Sequence, residues 1–273
     1  VNKLRLAVIG LLLMPLLGAG HPPAVVELST PAPARATAPA PTPAPTPAPA
    51  EVPARQASPE AVSQVALTYE AYIAGINAGS AELMLQRSPL RSNSEDYQYH
   101  VEGTARSKGL WESFQQWRAE YSVTGQVAAT TGVVPGHFYS LQTTPKKRRE
   151  IHIRDGVLRE TKNHKVRDPR PAQTGFDLLS AMFFLPPCHP SARVHTGRDG
   201  YTLARRGAGE ANKCRYSVTD ENGDTYKMSL IYAVRAGFSV PVSVDVEGPM
   251  NGRMVLSKAA APVRRAGLPG SPQ

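Results

Sequence analysis

From Val65 to Ile73 the chain reads Val-Ala-Leu-Thr-Tyr-Glu-Ala-Tyr-Ile, strand-forming residues in partial alternation. Gly75-Ile76-Asn77-Ala78-Gly79 supplies a turn, and Ser80 to Gln86 returns as a second strand. Tyr97 to Ser107 sets Tyr97, Tyr99 and Val101 against Gln98, His100 and Glu102, the period of two that a half-buried strand presents. Gly109 to Trp117 fits one or two helical turns. Strand character resumes over Ala119–Val127, Phe138–Thr143 and Arg148–Ile153, and Asp155-Gly156, a two-residue hairpin signal, leads into Val157–Thr161. Beyond residue 190, turn clusters at Arg198-Asp199-Gly200, Glu221-Asn222-Gly223-Asp224 and Gly248–Gly252 separate strands near 192–196, 201–206, 213–219, 225–233, 242–247 and 252–258. The pattern predicts a mainly β domain.

One segment breaks this grammar. Thr174 to Leu185 has no turn residue after Gly175 and is apolar nearly all round. Thr174 with Asp177 fits a capping box, and Pro186-Pro187 stops the helix. A helix without a polar face belongs in the interior, which places this one against the concave face of the sheet. A buried strand is the alternative. Leu178, Leu179, Met182, Phe183 and Leu185 are the candidates to line any apolar cavity there.

Composition divides the rest of the chain. Twelve of the 26 prolines fall between His21 and Val62, with Pro and Ala, then Pro and Thr, in alternation. Such a stretch buries no core and favours extended polyproline II, so residues 21–62 are expected to be a disordered linker. Lys3 and Arg5 precede an apolar run from Leu6 to Leu17 and then Gly18-Ala19-Gly20. That order predicts a signal peptide over 1–20, cleaved or retained as an inner-membrane anchor, and hence a periplasmic protein. The β domain is bounded at 63–258, with 259–273 as a disordered tail.

The order of features within that domain resembles an exported bacterial family, Domain of Unknown Function 3108. The resemblance rests on Tyr69, Tyr72 and Gly75–Leu83, on Tyr97 with Val101, on Ala105–Leu110 and on the aromatic-basic run Phe114–Tyr121. The Arg148-Arg149-Glu150 strand and Asp177–Leu185 complete the series, which covers about residues 65 to 258. It implies an exported, largely antiparallel domain without assigned activity. By analogy of fold, the sheet is expected to curve into an open half-barrel or β-clam with one or two short helices.

Cys188 and Cys214 stand 26 residues apart, one after the helix and one in a strand. In an oxidising compartment a disulfide is the leading reading. Two free buried thiols, or a metal site with His189 and His195, are the alternatives, although adjacent Cys188-His189 lacks a usual structural-zinc spacing. GxSxG, SxxK, P-loop and dinucleotide-binding patterns do not occur, and no cofactor is expected. The formal net charge is +9, and its densest run is Lys146, Lys147, Arg148, Arg149, Arg154, Arg159, Lys162 and Lys165. Such a run suits an anionic envelope surface, or simply a solvated hairpin, better than nucleic acid in an exported protein.

These readings converge on a non-enzymatic periplasmic β-clam that binds an apolar or amphipathic envelope ligand, or a partner protein, in cell-envelope maintenance. A tethered scaffold with a filled core, and a hydrolase acting on an envelope polymer, are the rivals. Oligomeric state is not legible.

Overall fold

The computed structural model describes residues 62–90, 95–207, 210, 212–248 and 251–260. The expected signal peptide, the linker up to residue 61 and the tail from residue 261 lie outside the described residues. Strands β1 (Ser63–Ile73), β2 (Ile76–Pro89) and β3 (Tyr97–Ser107) are followed by helix α1 (Leu110–Phe114). Next come β4 (Arg118–Ala128), β5 (Gly132–Thr144), β6 (Lys147–Arg154), β7 (Val157–Lys162), β8 (Lys165–Val166) and β9 (Arg170–Pro171). Then β10 (Phe176–Asp177) leads into helix α2 (Leu178–Phe184). The series ends with β11 (Ser191–His195), β12 (Gly200–Arg205), β13 (Lys213–Asp220), β14 (Thr225–Arg235), β15 (Phe238–Glu247) and β16 (Gly252–Ala260).

All sixteen strands belong to one sheet. Two antiparallel meanders, β1 to β8 and β11 to β16, are joined where β1 pairs with β16. The sheet is open: β8 and β10 end the path and do not pair with each other. The parallel pair β10–β11 is bridged by α2, a short crossover in an otherwise antiparallel sheet. Alternation sets the inner face. In β1, Val65, Leu67, Tyr69, Ala71 and Ile73 are all buried while their neighbours are partly exposed. Fully burying an aliphatic side chain such as Val65, Leu67 or Ile73 is worth about 1.5–3 kcal/mol. Helix α2 touches β11 and β15 from one meander, β4 and β5 from the other, and β10 at the sheet's end, so the sheet curls around it. One apolar cluster consequently runs through both meanders, from Val65 and Tyr99 to Val218 and Val244.

Several boundaries differ from the sequence reading for local reasons. The turn expected over Gly75–Gly79 is only Ala74-Gly75, both at positive φ, so β2 begins at Ile76 rather than Ser80. Asp155-Gly156 makes the hairpin its sequence signalled, with φ of 52° and 71°. Ala236-Gly237 makes the same kind of turn without the signal, and β15 therefore starts at Phe238. The helix is shorter than Thr174–Leu185. Phe176 and Asp177 are taken by pairing with Val194 and His195, and the helix starts at Leu178. Thr174 is not in its cap. Asp177 is the N-cap, accepting from the Ser180 amide at 2.8 Å, while Thr174 accepts from Arg193. Strand β16 runs to Ala260, two residues into the stretch read as tail.

Candidate functional site

A groove of about 630 Å³, counting its open mouth, lies between α2 and strands β11 to β15. The helix contributes Leu178, Ala181, Met182 and Leu185, with Pro186 and His189 following it. The strands contribute Ala192, Leu203, Tyr216, Met228, Leu230, Tyr232, Val244 and Val246. Period-two alternation explains the strand set: Met228, Leu230 and Tyr232 share one face of β14, and Val244 and Val246 one face of β15. Period 3.6 explains the helix set, since Leu178, Ala181, Met182 and Leu185 stand three or four apart.

The polar atoms at the groove are mostly engaged. Tyr216 donates to the His189 carbonyl at 3.0 Å, and His189 Nδ1 lies 2.7 Å from the Ser191 carbonyl. Burial pushes the Tyr232 phenol up, and the neighbouring Tyr216 adds to that shift, so both stay neutral over the physiological range. The mouth segment is pinned by the Cys188–Cys214 disulfide, with Cys214 fully buried in β13. Arg205 adds a bond to the Cys188 carbonyl at 3.3 Å. The disulfide consumes both thiols that a zinc reading required. Among the described residues no three His, Cys, Asp or Glu side chains gather as metal ligands.

The five helix residues singled out in the sequence divide. Leu178, Met182 and Leu185 line the groove, whereas Leu179 and Phe183 are buried in the core, where Phe183 meets Tyr69 with ring centroids 6.5 Å apart. The strand lining was not named in advance. Its alternation was visible, but which of two faces meets a helix from elsewhere in the chain is not a local property.

The Lys/Arg run does not form one surface. Alternation sends Arg148, Arg154 and Arg159 to an exposed face, where Arg148 stands 3.7 Å from Glu150. Lys147, Arg149 and Lys162 point to the opposite face, with Lys162 directly across from Arg149. Lys146 and Lys165 are exposed in and near turns. Arg149 is 5% exposed and its Nε lies 2.9 Å from Glu160 Oε1.

A second buried polar group sits on the far side of α2. Ser180 donates to Asp177 Oδ2 at 2.5 Å and shares a hydrogen bond with the Tyr99 hydroxyl at 2.7 Å. Burial pushes both the Asp177 carboxyl and the Tyr99 phenol up, against the lowering effect of the Ser180 bonds. Ser180 is fully buried, so this arrangement caps and anchors the helix out of reach of a substrate.

The model of the family described as "Protein of unknown function (DUF3108)" matches residues 68–243. No curated protein matches this chain. Among solved structures, the chain is similar to a beta-barrel-like protein of Domain of Unknown Function DUF1849 from Brucella abortus. That likeness has 9% identity and a TM-score of 0.36, and covers 73% of this chain and 98% of the other.

Proposed function

Because the chain belongs to the DUF3108 family, whose description carries no activity, we propose its function from the groove. It is an exported, non-enzymatic protein that takes one apolar or amphipathic chain-like ligand between α2 and β11–β15, in support of the cell envelope. The observation that carries this reading is the lining: of fourteen residues only His189, Tyr216 and Tyr232 bear polar side-chain atoms. Met182 and Met228 add unbranched, polarisable side chains that adapt to a ligand of variable shape. The periplasmic location rests on the disulfide and on the leader-like order of Lys3, Arg5 and Leu6–Leu17.

The test is titration with a fluorescent long-chain fatty acid, comparing wild type with Ala181→Phe, which puts a ring into the groove from the helix. Saturable binding to wild type, weakened about tenfold or more in the variant with little change in melting temperature, is the expected result. Equal binding to both proteins would remove the groove from consideration. The rival reading, a tethered scaffold without ligand, is favoured by the way Phe183 and Phe184 fill the interior beneath α2. It predicts no saturable binding at all.

A further inference from the structure

The inner face of β6–β7 carries charge that its own partners do not balance. Arg149 is 5% and Glu160 4% exposed. Arg149 Nε lies 2.9 Å from Glu160 Oε1, yet the contact is off the line of the N–H, and neither Nε nor Nη1 makes a hydrogen bond. Glu160 Oε2 accepts from Arg167 at 3.3 Å, so the one carboxylate is divided between two guanidiniums. Lys147 and Lys162 stand beside Arg149, and Arg198 and Asp199, at the tip of the β11–β12 hairpin, lie within electrostatic reach of it. Arg198 is itself loosely paired, its Nε 3.4 Å from Asp199. Five cations face two carboxylates. A guanidinium so deeply buried, with donors left over, is costly unless something accepts from it.

We propose that the cluster of Lys147, Arg149, Lys162 and Arg198 binds a phosphate-type oxyanion. The donors come from two strands and from a turn that folds over them: Gly197, next to Arg198, packs so closely on Phe138 and Ile151 that a Cβ there would overlap the Phe138 ring. The guanidinium fork matches the oxygen spacing of phosphate, and a dianion supplies oxygens to more than one cation at once. Lys147 and Arg198 are partly exposed and provide the approach, while Arg149 forms the floor. Strands β6 and β7 lie outside the groove lining, so this site stands or falls independently of the proposed function.

The experiment compares thermal shifts of the full chain in sodium phosphate and in sodium chloride at matched ionic strength. Wild type, Arg198→Ala and Lys147→Ala are measured together, both substitutions being at partly exposed positions. A second arm titrates dihexanoyl phosphatidic acid against neutral dihexanoylglycerol. Saturable stabilisation by phosphate beyond chloride, with affinity reduced about tenfold in each variant, is the expected outcome for a free ion. Preference for the phosphatidic acid over phosphate, lost in the same variants, supports the same site serving a lipid headgroup. No difference between phosphate and chloride together with no preference for the charged lipid overturns the proposal. So does stabilisation that persists unchanged in both variants.

Discussion

Tyr99 is fully buried, stacks on Phe184 with centroids 4.1 Å apart, and reaches Ser180 with its hydroxyl. The ring has room because Gly125 lies across it on β4; a Cβ there would overlap the hydroxyl and the adjoining ring carbons. Gly125→Ala should therefore displace the ring and cost about 1–3 kcal/mol, as overpacking does. Urea unfolding measures it, and an unchanged midpoint would mean that the ring has space to spare. A second residue carries a pH signature. His195 is 4% exposed, its Nδ1 accepts from the Gly197 amide, and burial lowers its pKa to about 4 from an ordinary value near 6.5. The unfolded chain thus binds the proton more tightly. The stability this histidine contributes is complete above about pH 6.5 and is lost as pH falls toward 4. Asp177, whose carboxyl is pushed up by burial, works the other way in acid, so the histidine is isolated by difference. Between pH 7 and pH 4, wild type should lose about 3 kcal/mol more than His195→Gln. Parallel pH profiles would show that His195 titrates normally. At this scale the sequence was half legible. Alternation marked Tyr99 as inward-facing, but a Cβ missing from a neighbouring strand leaves no pattern, and neither does the burial of His195.

Helix α2 divides its labour by face, and the disulfide holds the segment on its carboxyl side. Leu178, Met182 and Leu185 look into the groove while Leu179, Phe183 and Phe184 are buried in the core. Phe183→Ala is then a core truncation and should cost about 3–5 kcal/mol while leaving binding of the fatty-acid probe nearly intact. Calorimetry and the probe titration separate these readouts; a large change in affinity with little loss of stability would place Phe183 in the groove instead. Replacing Cys188 and Cys214 together by serine should cost about 3 kcal/mol in the chain-entropy account. It should also weaken probe binding, because Pro186 and His189 line the mouth beside the lost staple. A protein of unchanged melting temperature after that double substitution would show the bond to be idle. The helix was legible because a long segment without a polar face has one suitable environment. Its start was not, since pairing of Phe176 and Asp177 with β11, a tertiary event, overrode the capping pattern. Hairpins show the same division. Asp155-Gly156 announces a turn with two positive φ angles, whereas Ala74-Gly75 and Ala236-Gly237 adopt that turn with an alanine that gives no warning.

The two meanders meet where β1 pairs with β16, near opposite ends of the described domain, and no local signal encodes that pairing. Side chains secure the seam. Tyr69 of β1 reaches past β16 to donate to the Pro241 carbonyl at 2.9 Å, beside a bulge where β14 and β15 shift register. Pro241 is tolerated because the β15–β16 ladder covers only Ser243–Val246. Tyr69 also meets Phe183, so the seam and the helix share one core. Such continuity predicts that the described domain unfolds as a single cooperative unit, because α2 packs against strands of both meanders. The two tryptophans, Trp111 and Trp117, both belong to the β1–β8 side, whereas far-ultraviolet circular dichroism reports strands of both sides. Denaturant unfolding followed by tryptophan fluorescence and by circular dichroism should give one shared midpoint. Phe184→Ala, which removes the stack on Tyr99 and so loosens one meander from the helix carried by the other, should lower both midpoints together by the equivalent of about 3–5 kcal/mol. A fluorescence transition that separates from the circular dichroism transition, in wild type or in that variant, would show that the meanders unfold on their own and that α2 does not join them.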